Sequence, residues 1–149
     1  MNEHTAALMA KLDGRGSDDE WTAVRTLRLE LGAGFAGELL AAYKTAKSWR
    51  HRTSYVYHAM SVCTESNDAI ALGELALFDK SKVVRYRACM LLAIAQRVSA
   101  LPVLDEALSR GLDSADDYRA AIDAIRHRNP NYFVDRDHSG QVTLGVGRT

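Results

Sequence analysis

Apolar residues recur at helical spacing along almost the whole chain up to residue 128. Phe35, Leu39, Ala42, Tyr43 and Ala46 form one stripe, and Trp49, Thr53, Val56, Tyr57 and Met60 form the next. Val84, Ala88, Leu91, Leu92 and Ala95 repeat the pattern, as do Tyr118, Ile122 and Ile125. Steps of four and three residues keep one face of a 3.6-residue helix apolar, so each stripe predicts an amphipathic helix. Turn-forming residues at 13–17, 32–34, 66–68, 79–81, 99–102 and 111–114 separate the stripes. The alternation predicts about eight helices paired into four hairpins, an all-α architecture.

After Pro130 the period changes. Tyr132 to Arg136 lead to a turn at Asp137, His138, Ser139 and Gly140, after which Val142, Leu144 and Val146 alternate with Thr143 and Gly145. Alternation about a glycine-containing turn predicts a β-hairpin over 131–147. An isolated hairpin is marginal in water, so this one is expected to pack on the last helices, as a cap or as part of a binding edge. Asp135, Asp137 and Ser139 supply oxygen at the first, third and fifth places of a calcium-loop pattern, with Gly140 at the sixth. Val146 stands where such a loop needs its bidentate acid, which favours a plain turn over a cation site.

A chain of 149 residues buries a core as a single domain, 1–149. Nineteen basic side chains balance nineteen acidic ones, so no bulk field recruits nucleic acid or an anionic membrane; a local patch would be needed. The longest apolar run, 69–78, is broken by Glu74 and falls short of the roughly 20 residues that span a bilayer. The N-terminal residues lack the regions of a signal peptide, and a soluble, cytoplasmic protein is expected. Cys63 and Cys89 have no metal or redox spacing and read as small buried residues, too far apart along neighbouring helices to join.

Three aspartates are each followed six residues later by an arginine that opens a helical stripe: Asp19 and Arg25, Asp79 and Arg85, Asp113 and Arg119. A carboxylate in an inter-helix turn and a guanidinium on the next helix suit a ladder of charge-assisted hydrogen bonds between stacked hairpins. Arg85 aligns with Arg119 at a shift of 34 and with Arg50 at 35, whereas Arg25 to Arg50 is only 25. The second helix of the first hairpin is therefore expected to be short, ending at Gly32 as part of a degenerate cap. With its Val83-Val84-Arg85 run and small Ala88, the segment 78–88 resembles the HEAT-repeat family of α-solenoids. The resemblance covers 18–128 and implies a right-handed α-α superhelix of about four hairpins. It also implies scaffolding, docking or inhibition through an extended helical surface.

Lys44, Lys47, Arg50, His51 and Arg52 form one basic run, and Lys80, Lys82, Arg85 and Arg87 another about one repeat later, so the central hairpins are expected to carry a basic ridge. Turning the stripe of Val84, Ala88 and Leu91 toward the core leaves Tyr86, Arg87 and Met90 outside it. The shift of 35 brings Arg52 and Tyr55 beside them. Aromatic, thioether and guanidinium groups suit a protein interface, and these five residues are the predicted partner-binding patch. The bland alternative is that Tyr86 and Met90 fill gaps between hairpins.

Enzyme chemistry finds little support. Gly32 to Gly37 reads GxGxxG, but no acid follows at the ribose-binding distance, no further parallel strands are in sight, and Gly32 also fits a helix end. His51 and His58 share a helix face about 10 Å apart, too far to ligate one metal, and no metal or other cofactor is expected. The preferred reading is a non-enzymatic protein-binding module. A short solenoid of this kind is similar to small bacterial immunity proteins that neutralise one toxin partner, here one with an acidic surface. The alternative is a HEAT-like nucleic-acid-binding protein or DNA glycosylase using the basic ridge, with Trp21 and Trp49 as the available tryptophans.

Overall fold

Serine or asparagine caps open most of the long helices. The computed structural model describes residues 2–134, and among them every regular element is helical. The helices are α1 Glu3–Ala10, α2 Asp18–Leu31, α3 Phe35–Thr45, α4 Trp49–Ala59, α5 Asn67–Ala76, α6 Lys82–Ala95, α7 Leu101–Ser109, α8 Ala115–Arg126 and the short α9 Asn131–Val134. Asn2, Ser17, Ser48, Ser66 and Ser81 accept a backbone N–H from the first turn of α1, α2, α4, α5 and α6. Gly32, with φ of +54°, ends α2 and donates its N–H to the Arg28 carbonyl, and a 3-10 turn over Gly32–Gly34 leads into α3. The glycine string is thus a helix stop.

Helices α3 and α4, α5 and α6, and α7 and α8 pair through short connections, with α1 and α2 before them. First helices stack on first helices, α3 on α5, and second on second, α4 on α6 on α8. Between the layers, Leu39, Val56, Leu72, Leu91, Leu92 and Leu104 are fully buried in one continuous apolar core. At Gly73 a Cβ would come within 2.9 Å of a Leu91 methyl, so any larger residue would push the leucine side chains of α6 aside. Neither Cys63 nor Cys89 is in a disulfide, and both are buried in this core.

A polar ladder stitches the repeats. Asp79, between α5 and α6, receives Arg52 of α4 at both oxygens, Nε at 2.8 Å and Nη2 at 3.1 Å, and also accepts from the Tyr43 hydroxyl and the Ser81 N–H. Arg85 of α6 repeats the role one step on: it donates to the Asp79 carbonyl at 2.8 Å and to Ser114 Oγ at 2.9 Å. Tyr118 of α8 takes the next place, its hydroxyl donating to the Leu77 carbonyl at 2.6 Å. Arg52, Arg85 and Tyr118 each lie four residues beyond the cap serines Ser48, Ser81 and Ser114, so the repeat is 33 residues long.

That register corrects several expectations. Arg50 is exposed and stacks on Trp49 at 4.8 Å, leaving Arg52 as the equivalent of Arg85. Arg119 is exposed beside Asp116 at 3.6 Å, one residue past the ladder position. Arg25 is exposed and donates to Thr22, and Asp19 is exposed in the first turn of α2, so neither stands in the ladder. Asp113 contributes its main chain, since the carbonyl accepts from Arg85 at 3.4 Å while the exposed carboxylate stands 3.5 Å from Lys82. Helix α2 has 14 residues, as many as α6; the shortened element is α1 with 8.

The expected β-hairpin fails where it can be seen. Asn131–Val134 forms a helical turn, opened by Asn129 Oδ1 accepting the Asn131 N–H and closed by Phe133 and Val134 N–H groups on the Pro130 carbonyl. Phe133 is buried, which turns this segment onto α8 as a cap. The rest of the expected hairpin, 135–147, with Asp135, Asp137 and Ser139, lies outside the described residues. No helix among the described residues is long and apolar enough to cross a membrane.

Candidate functional site

The α1–α2 connection and three successive second helices enclose a cleft of about 390 Å³. Gly14 and Gly16, both at positive φ, fold the connection back on α4; a Cβ at Gly14 would sit 2.7 Å from the Arg50 carbonyl. The same connection ends in a Ser-x-x-Glu start: Ser17 Oγ accepts the Glu20 N–H at 3.2 Å. In a reciprocal capping box Glu20 would return to the cap's own N–H. Here Oε1 accepts the Gly16 N–H at 2.8 Å instead, and Oε2 crosses to α4, where it accepts from Ser54 at 2.7 Å and His58 Nε2 at 2.8 Å.

This carboxylate is buried and carries three donors. Burial raises the Glu20 pKa, but the hydrogen bonds from His58, Ser54 and Gly16 outweigh it and hold the group below the ordinary 4.5. Burial pulls His58 below its ordinary 6.5, with Glu20 opposing the shift only in part. At neutral pH the floor of the cleft is therefore a carboxylate and a neutral imidazole whose Nε2–H points at it. Serine, histidine and glutamate meet here without forming a nucleophilic triad, because Ser54 and His58 both donate to the same acid and the imidazole takes no proton from the serine. Thr53 also lines the cleft, and its buried hydroxyl has no hydrogen-bond partner among the described residues.

The walls are aromatic and cationic. Trp21 stands edge-on to His58 at 4.9 Å and to Tyr57 at 6.1 Å, and both large rings stay open to solvent, Trp21 at 39% and Tyr57 at 38%. The Arg87 guanidinium of α6 lies 4.7 Å over the Tyr57 ring. A continuous seam thus runs across α2, α4 and α6. Arg15, at the mouth, faces solvent beside Asp13 at 3.6 Å.

Of the five residues expected to bind a partner, only Arg87 lines this cleft. Arg52 and Tyr55, each only 6% exposed, are core residues: Arg52 is held by Asp79 and the Ala46 and Lys47 carbonyls, and Tyr55 sits in the apolar cluster. Tyr86 tilts onto Phe133 at 5.6 Å, and Met90 packs partly buried against the core. The two lysine and arginine runs do not merge into one ridge, since Arg52 and Arg85 are buried in the ladder. Sequence reading missed Glu20, set His58 aside after weighing it as a metal ligand, put Tyr57 in a core stripe, and kept Trp21 only for the nucleic-acid alternative. The Ser17-x-x-Glu20 start and the Ser54, His58 pair one helical turn apart were the available signals.

Comparison with known proteins finds no family model, no curated protein and no solved structure that matches this chain.

Proposed function

We propose that this chain is a HEAT-like right-handed solenoid acting in the cytoplasm as a non-enzymatic protein-binding module. It holds one protein partner, in the manner of an immunity protein with its toxin. The observation that carries this reading is the seam of Trp21, Tyr57 and Arg87 contributed by three neighbouring helices. Tryptophan, tyrosine and arginine are the residues in which interface energy concentrates, because each brings a large rigid surface together with a polar edge. Here they are fixed by one another before any partner arrives, so little side-chain freedom remains to be lost on binding. The Glu20, Ser54 and His58 network supports the seam from below by locking α2 to α4.

Nucleic-acid binding is the weaker alternative. Asp13, Asp18 and Asp19 flank the cleft's N-terminal side, and Glu20, the acid nearest the aromatic wall, already serves three donors. The test is affinity capture from native lysate on the immobilised chain, run in parallel for wild type, Trp21→Ala and Leu29→Ala. One stoichiometric protein kept by wild type and by Leu29→Ala and lost by Trp21→Ala is the expected result. Nucleic acid as the retained species, or equal retention on all three, overturns the reading.

A further inference from the structure

Arg87 is half-buried, yet no carboxylate among the described residues pairs with it and it makes no hydrogen bond there. What holds it is the aromatic wall: the guanidinium carbon lies 4.7 Å over the centre of the Tyr57 ring and 6.0 Å from that of Tyr86. Stacking occupies the face of a guanidinium and leaves its N–H edge free, the edge that accepts both oxygens of a planar anion. None of its nitrogens is fully buried, so the edge is open at the cleft to an entering acceptor. The contrast with Arg52 and Arg85, every guanidinium nitrogen of which donates inside the fold, marks Arg87 as an arginine whose acceptor lies outside the described residues.

We propose that the cleft beside Trp21 and Tyr57 receives an aspartate or glutamate side chain of the bound protein, its carboxylate forked onto the N–H edge of Arg87. This rests on the protein-binding reading and names the chemistry of the contact. The cleft volume of about 390 Å³ suits one or two side chains. Arg15 at the mouth is paired with Asp13, which leaves Arg87 as the lining cation with no carboxylate partner among the described residues, and the apolar rings accept the stem of the acidic residue. A single carboxylate fits better than a phosphate backbone, because a polyanion entering here would run over the exposed Asp18 and Asp19 at the start of α2. Glu20 does not compete for Arg87, since its two oxygens are already taken by Gly16, Ser54 and His58.

Panning phage-displayed random peptides on the full chain, then on Arg87→Gln and Arg87→Lys, tests the proposal. Peptides selected on wild type should be enriched in aspartate or glutamate next to an apolar residue. Their synthetic forms should bind Arg87→Gln about tenfold more weakly or worse, and Arg87→Lys should not restore them, because an ammonium keeps the charge without the planar fork. Should Arg87→Gln melt early, the comparison of wild type with Arg87→Lys decides alone. Selection without acidic enrichment, the same enrichment on Arg87→Gln, full binding by Arg87→Lys, or Arg87-dependent displacement by mixed-sequence single-stranded DNA overturns it. A lysate partner lost with Trp21→Ala but kept by Arg87→Gln removes the carboxylate fork and leaves the binding module standing; a partner indifferent to Trp21 removes the module itself.

Discussion

The Arg52 guanidinium lies along both oxygens of the Asp79 carboxylate, with each side chain more than nine-tenths buried. The pair joins the α3–α4 hairpin to the turn that starts α6, so it sits where two repeats meet. Burial alone would raise the Asp79 pKa, but Arg52, Tyr43 and Ser81 outweigh it and leave the group below its ordinary 3.8. Tyr43 moves the other way, raised by burial and by the carboxylate that it donates to.

Removing one partner strands the other charge in the core. Asp79→Ala is expected to cost about 3–5 kcal/mol, and Arg52→Met with Asp79→Leu together should recover most of that loss. Tyr43→Phe, which removes one hydrogen bond to the charged group, should cost about 1.5–3 kcal/mol. Urea denaturation of the three variants beside wild type measures the set, and a double variant no better than Asp79→Ala would show that the carboxylate matters for something other than Arg52.

Stability should fall in two stages as the solution is acidified. His58 is depressed below 6.5 in the folded state, so the unfolded chain takes up its proton first; the stabilisation is present above about pH 6.5 and is lost as pH falls toward the folded value. Glu20 and Asp79 are depressed too, so their contribution holds above their ordinary 4.5 and 3.8 and is lost below, as pH falls through the folded values. His58→Gln keeps an N–H donor in place of Nε2 and cannot titrate. Urea midpoints taken from about pH 7.5 down to about pH 5 should fall for wild type and stay flat for this variant.

Neighbouring residues on α8 separate the ladder from the surface. Tyr118→Phe leaves the Leu77 carbonyl without its side-chain donor in the core and should cost about 1–3 kcal/mol. Arg119→Ala loses only an exposed pair with Asp116 and should cost less than about 1 kcal/mol. The reverse order of melting temperatures would reject the 33-residue register.

Tyr57 is the platform under Arg87, and its substitutions should separate ring from hydroxyl. Tyr57→Phe keeps the stacking surface and should bind the selected acidic peptides like wild type, while Tyr57→Ala should weaken them about as much as Arg87→Gln does. Titration calorimetry on the three variants gives the comparison. Binding unchanged by Tyr57→Ala would mean that Arg87 needs no platform.

Helix positions, turns and the end of α2 at Gly32 were legible in the chain because each is written locally: apolar steps of three and four, cap serines, and a glycine where the backbone turns left-handed. The existence of a polar ladder was legible as well, from Asp79 and Arg85. So were the core faces of α3, α6 and α8, whose stripes of Phe35 and Leu39, Val84, Ala88 and Leu91, and Tyr118, Ile122 and Ile125 are buried; the core face of α4 was not. Each residue turns a helix by about 100°, so aligning α4 on α6 at 35 instead of 33 rotates the inferred face by about 200°. That error placed Arg52 and Tyr55 outside and Tyr57 inside. The central helices offered no correction, since α4 buries arginine, threonine, serine and histidine along with its apolar residues. A buried charge looks like a surface charge until its partner is known, and the partners of Arg52 and Glu20 lie 27 and 34 or more residues away along the chain. The sequence alone determined the helices and their order; the packing of α2, α4 and α6 decided which charges are neutralised inside and left Arg87 facing the cleft.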